Sequence, residues 1–169
     1  NNTYQGATTI TAGTLKLTHI GALGSTSGTT VLATNAALEI AFASGTDLTN
    51  TSAISLKGTG LSTTGALVIT SSGVNMANNI TLAGDTRIGG AGAGTLTGII
   101  NDSTSSFAIT KVGSGTLTLT PTGNNTFDGG VILSDGTLLA GHNVSLGTGA
   151  LTLSGGTFTS TTGTLFAAG

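Results

Sequence analysis

The 169-residue chain has no cysteine, no tryptophan, one proline and one methionine, and only 6% of its residues are charged. Without cysteine there can be no disulfide and no thiolate metal site, and the redox compartment is left open. Globular proteins are about 25% charged, so this surface is unusually neutral. The four cations Lys16, Lys57, Arg87 and Lys111 are scattered and form no basic stripe able to neutralise phosphates, which argues against a nucleic-acid partner. No apolar run reaches the roughly 18 residues needed to cross a bilayer. The opening Asn1-Asn2-Thr3-Tyr4 lacks the basic and apolar regions of a signal peptide, so any export signal is expected outside this stretch.

What the chain does have is 29 glycines, about one threonine in five residues and 37% hydrophobic residues, with a mean hydropathy of +0.37. Ample Val, Ile and Leu with a net charge of only -2 oppose the low-hydrophobicity, high-charge signature of disorder. The composition favours short strands and tight turns over long helices.

Internal repeats dominate. Gly94-Thr95-Leu96, Gly115-Thr116-Leu117, Gly136-Thr137-Leu138 and Gly156-Thr157-Phe158 follow one another at spacings of 21, 21 and 20, and Gly13-Thr14-Leu15 is followed 23 positions on by Ala36-Ala37-Leu38. A longer repeat lies over these. Asn1-Asn2-Thr3-Tyr4-Gln5-Gly6 recurs as Asn124-Asn125-Thr126-Phe127-Asp128-Gly129, an offset of 123 that also pairs Gly13-Thr14-Leu15 with Gly136-Thr137-Leu138 and His19 with His142. At one coil per 21 residues, this offset corresponds to about six coils. Residues 41 to 75 are less regular.

Within each copy polar and apolar residues alternate, as in Thr116-Leu117-Thr118-Leu119-Thr120 and Thr14-Leu15-Lys16-Leu17, the period of a half-buried strand. Lys16 and Glu39 fall between apolar neighbours, so a one-residue slip would bury them. The fold expected is all-β, a right-handed parallel β-helix of coils near 21 residues, about eight coils and ~38 Å long. Residues 1–169 are expected to form a single solenoid segment, part of a longer repetitive protein. Leu15, Leu38, Leu96, Leu117, Leu119, Leu138, Leu151 and Phe158 point inward. Leu96, Leu117, Leu138 and Phe158 share one interior column, and Thr95, Thr116, Thr137 and Thr157 the adjacent exterior one. Turns fall at Asp128-Gly129-Gly130, Asp135-Gly136, Gly89-Gly90 and Gly155-Gly156.

The runs Ala77-Asn78-Asn79-Ile80-Thr81-Leu82-Ala83-Gly84-Asp85, Gly94-Thr95-Leu96, Lys111-Val112-Gly113-Ser114-Gly115-Thr116-Leu117-Thr118-Leu119, Gly123-Asn124-Asn125-Thr126-Phe127-Asp128-Gly129-Gly130 and Gly136-Thr137-Leu138 resemble the autotransporter passenger-associated strand repeat. The resemblance extends over residues 77 to 153 and 1 to 40, where Asn1, Tyr4, Gly6, Gly13 and Leu15 match the later copies. It implies a right-handed β-helical passenger region of a bacterial type V secreted protein, at the cell surface or extracellular, with an adhesive or stalk role. The family's repeats are structural, so the resemblance carries over no catalytic residue.

The carboxylates Glu39, Asp47, Asp85, Asp102, Asp128 and Asp135 are dispersed, and most read as turn residues; glycosidic chemistry would need a converging pair. At about six coils apart, His19 and His142 stand too far from each other to share a metal. Gly89-Gly90-Ala91-Gly92-Ala93-Gly94 lacks the Asp of a calcium-binding repeat and the Lys-Ser/Thr of a phosphate loop. Six Asn-x-Ser/Thr triplets are expected by chance in such a composition. No enzyme activity, catalytic residue, metal or cofactor is expected.

A rival reading is ice or polysaccharide binding on a flat threonine face, with Thr95/Thr97, Thr116/Thr118 and Thr157/Thr159 in register. Leu139 beside Thr137 and Lys16 beside Thr14 interrupt that array. The expected partners are adjoining coils or like subunits end to end, since neither end, including the apolar Phe166-Ala167-Ala168, reads as a cap. Extracellular glycans are a further class.

Overall fold

The computed structural model describes residues 2–24, 30–48 and 52–162. Every strand pairing in it is parallel, and the coils stack into a β-solenoid of about six turns.

The strands line three faces. On the first lie Thr8–Ile10, Thr30–Leu32, Ile54–Gly58, the beginning of Ile80–Gly89, and Ile100–Asn101. On the second lie Gly13–Leu17, Ala36–Ile40, Leu67–Ile69, the end of Ile80–Gly89, Ile109–Lys111, Val131–Leu133 and Leu151–Leu153. The third holds Ser72–Met76, Ala93–Leu96, Thr116–Leu119, Thr137–Ala140 and Thr157–Ser160. The ten-residue strand Ile80–Gly89 turns the corner between the first two faces. Its residues Ala83, Gly84 and Asp85 bulge between Leu82, paired with Leu56, and Thr86, paired with Gly58.

Alternation decides which side chains go inside. Thr116–Leu119 and Thr137–Ala140 both bury every second residue, and Leu38, Leu67, Ile88, Leu96, Leu117, Leu119 and Leu138 are all at most 1% exposed. Each such side chain contributes about 1.5–3 kcal/mol. The core is a column shared between neighbouring coils, so stability is a sum of local interfaces. Leu15, in the first second-face rung, and Leu151 and Phe158, in the last described coil, are only half-buried, and Leu153 is 60% exposed.

Three expectations from the repeat spacing are corrected. The solenoid has about six turns, not eight, for a height near 29 Å, because the middle coils are long: Leu38 pairs with Leu67, 29 residues on. This is the less regular stretch of the sequence.

The column of Leu117 is Gly94, Leu117, Leu138 and Phe158, and Leu96 lies instead against Leu119. Thr95 accordingly lies against Thr118, not Thr116. The interior space at residue 94 is already filled by Ile69: a Cβ on Gly94 would stand 2.5 Å from Ile69 Cδ1. The shift is of two residues, so every side chain keeps its side of the sheet.

Finally, the 123-residue offset is just over five turns, not six. Thr8 reaches Ile100 in four turns through Thr30, Ile54 and Ile80, and the backbone contact of Thr126 N–H with Ile100 O adds the fifth. Val131, at offset 123 from Thr8, then lies on the next face. In the same way Leu15 shares its column with Leu38, Leu67, Ile88, Lys111, Leu133 and Leu153, whereas its sequence counterpart Leu138 is on the third face. The extra residues of the middle coils turn the repeat by one face.

Candidate functional site

The motif residues cluster at the solenoid corners. Asn125 is 2% exposed and bridges three coils: Ile100 N–H donates to its Oδ1 at 2.8 Å, and its Nδ2 donates to Ser145 O at 2.7 Å. Ser145, fully buried, passes the link on through its hydroxyl, which donates to Leu119 O at 2.6 Å. In the first repeat Asn2 Nδ2 donates to Ala22 O at the same 2.7 Å, and Ala22 N–H to His19 O repeats Ser145 N–H to His142 O, both 3.1 Å. The glycines that close these corners, Gly24 (φ 75°) and Gly147 (φ 68°), need the left-handed region and leave room for the carbonyls of Tyr4 and Phe127, which a Cβ would strike. Phe127 is fully buried, while Tyr4 is 40% exposed with its hydroxyl on Thr8 Oγ1. The same corner is thus built twice, on two different faces. Asn1 lies outside the described residues, and Gly6 and Asn124 are exposed.

Asn79 Oδ1 accepts from Ile99 N–H at 2.9 Å, and Asp85 Oδ1 accepts from Ala108 N–H at 2.9 Å. Gly115 and Gly129 pass so close to Gly92 and Phe107 of the preceding coil that a side chain would meet their backbone. The carboxylates read as turn residues include one with a larger role. Asp102 is 4% exposed, and its Oδ2 accepts from Phe107 N–H and from Asp128 N–H, both at 3.2 Å, clamping the excursion that follows Asn101 to the next coil. Asp135 Oδ1 accepts from Gly136 N–H at 2.8 Å. On the outer surface Lys16 Nζ lies 2.9 Å from Glu39 Oε1, which in turn accepts from Thr70 Oγ1. That exposed pair contributes at most about 1 kcal/mol.

Lys111 has a role that the sequence reading missed. Unlike Lys16, it takes the inward phase, between Ile88 and Leu133 in its column, and it is 2% exposed. Its ammonium turns into the adjacent corner and donates to the carbonyls of Val112 (3.0 Å), Gly113 (2.7 Å) and Asp135 (3.2 Å). Gly113 and Gly136 both have positive φ, and at Gly136 a Cβ would meet the Gly113 and Gly115 carbonyls and the ammonium itself. The available signal was the phase of Ile109-Thr110-Lys111, which puts the lysine on the side of Ile109.

Burial holds the Lys111 ammonium below its ordinary value of 10.5, with the Asp135 carboxylate pulling the other way. Its folded value lies below its unfolded one, so between the two the unfolded chain binds the additional proton. Stability should therefore rise with pH from the lowered value up to about 10.5 and level off above it. Urea titrations across that range should show this slope in the wild type and its loss in Lys111→Met; equal slopes in both would contradict the assignment.

A cavity of about 180 Å³ is lined by Thr18, His19, Ile20, Phe42, Ala43 and Thr46, and His19 Nδ1 there already accepts from Gly21 N–H. Among the described residues, no three His, Asp or Glu side chains come together as metal ligands.

The third face presents a different surface. Its outward columns are Ala93, Thr116, Thr137, Thr157 and Thr95, Thr118, Leu139, Thr159. Thr97, Thr120, Gly141 and Thr161 continue the rungs at their ends. Lys16 does not interrupt this array, since it pairs with Glu39 on the second face. The corrected register brings Thr95 beside Thr118, and Asn75 and the exposed Asp47 extend the Thr95 column on its other side.

The family model of the passenger-associated-transport-repeat matches residues 1–17 and 109–140. The chain carries that repeat. The match is narrower than the resemblance read over residues 77 to 153, and its second segment holds the Lys111 corner, Asn125 and the strands Thr116–Leu119 and Thr137–Ala140. No curated protein and no solved structure matches the chain. The repeat suggests an autotransporter passenger region with a β-solenoid fold.

Proposed function

We propose that this segment is a rigid structural or adhesive stalk of a secreted bacterial surface protein, extracellular in its working state and without catalytic activity. The observation that carries this reading is an unbroken parallel ladder whose first and later coils contain the passenger repeat. The polar residues of the repeat favour the same reading. Asp85, Asp102, Asp135 and Glu39 hold backbone N–H groups or a surface lysine, and Asn125 and Lys111 tie coil to coil. These groups act on the fold itself. The partners in this reading are adjoining coils or like subunits end to end, with extracellular glycans as a ligand class for the adhesive role.

Display tests it. Placed between a secretion signal and an outer-membrane barrel, the chain should carry a terminal epitope to the cell surface, where added protease removes the epitope. An epitope retained inside the cell, or cleavage of a polysaccharide panel by the purified chain that Asp102→Asn abolishes, would overturn the proposal.

A further inference from the structure

Six threonine hydroxyls on the third face have no partner among the described residues, while at the ends of its rungs Thr97 and Thr161 donate to Met76 O and Ala140 O. Threonines elsewhere on the surface direct their hydroxyls to backbone: Thr64 to Leu61 O, Thr70 to Ile40 O and Thr46 to Ala43 O. Among the described residues, the hydroxyls of Thr95, Thr116, Thr118, Thr137, Thr157 and Thr159 make no such bond. Their strands hold them in parallel register, so hydroxyls and methyls repeat at about 4.8 Å between rungs and about 6.6 Å along each strand.

We infer that this face binds the surface of ice, ordering water on its repeating hydroxyls. The alternatives fit less well. With Ser72–Met76 and the Asp47 bridge included, six rungs of three outward positions span roughly 570 Å², short of the ~800 Å² that each partner contributes to a stable protein interface. Among the described residues of these rungs Asp47, at the end of the Thr95 column, is the one charge, too little for an ionic polymer. Phe158 shares the inward column of Leu138, so no aromatic platform is offered to a sugar ring. A periodic solid needs neither charge nor depth, only donors and acceptors at fixed spacing with methyls between them. The inference is independent of the stalk reading, which stands whether or not this face binds ice.

The test is freezing-point hysteresis and ice-recrystallisation inhibition by the purified 169-residue chain. The wild type should show both and shape growing crystals. Thr118→Lys, at the centre of the array, should abolish them while keeping the wild-type circular dichroism and melting curve. Thr152→Lys, on the second face, should leave them unchanged, and Leu139→Thr, which fills a gap, should increase them. A folded wild type without either activity would overturn the inference, as would equal loss in Thr118→Lys and Thr152→Lys. So would sedimentation showing a dimer that only Thr118→Lys dissociates, which would assign the face to self-association.

Discussion

Leu117→Asp should destabilise the chain by about 4 kcal/mol or more, enough to unfold a protein of ordinary marginal stability. Leu117 is 1% exposed, and its column neighbours are Gly94 and Leu138. A carboxylate there would have no cation and no donor, and a buried unpaired charge is among the few single changes that cost this much. One residue on, Thr118 faces outward, and Thr118→Asp should stay within about 1 kcal/mol of wild type. Denaturant titration of both variants measures the contrast; equal losses would show that the two sides of Thr116–Leu119 had been exchanged.

Asn125→Ala should cost about 3 kcal/mol. The substitution leaves the Ile100 N–H and the Ser145 carbonyl without their partners in a region closed to water, and each orphaned group costs about 1–3 kcal/mol. Asn2→Ala removes a bond of the same length, but Asn2 is exposed and water can take its place, so the loss should be under about 1 kcal/mol. The pair shares one motif and differs in burial, which makes it a controlled comparison. A loss at Asn2 as large as that at Asn125 would contradict the bridging role.

The sequence made the fold class and the sidedness of the strands legible, because a period of two and a charge between apolar neighbours determine which residues point inward. Leu38, Leu117, Leu119 and Leu138 are buried as alternation requires. Alternation is blind to shifts of two residues, so Leu96 was assigned to the column of Leu117 when it belongs to that of Leu119. Nor does it report how much chain each coil uses. The 29 residues between Leu38 and Leu67 therefore hid the change of face between His19 and His142.

Polar corners were the least legible part. Asn125, Asp102 and Lys111 look like solvated turn or repeat residues by type, and each is buried because a neighbouring coil supplies backbone partners 20 or more residues away. Only Lys111 gave notice of this, through its phase. The threonine face was visible as the pairs Thr95/Thr97, Thr116/Thr118 and Thr157/Thr159, but which threonines are neighbours depends on a register that spacing alone does not give.

That register can be measured directly. The chain has no cysteine, so pairs introduced by substitution report proximity without background. Thr95 and Thr118 are opposed on adjacent parallel rungs, a separation of about 4.8 Å that lies within the Cα range a disulfide spans, about 4.4–6.8 Å. Thr95→Cys combined with Thr118→Cys should cross-link nearly completely under mild oxidation in the folded protein and not in urea, while Thr95→Cys with Thr116→Cys should remain reduced. Cross-linking of the second pair in place of the first, or of neither, would contradict the parallel solenoid in the register described.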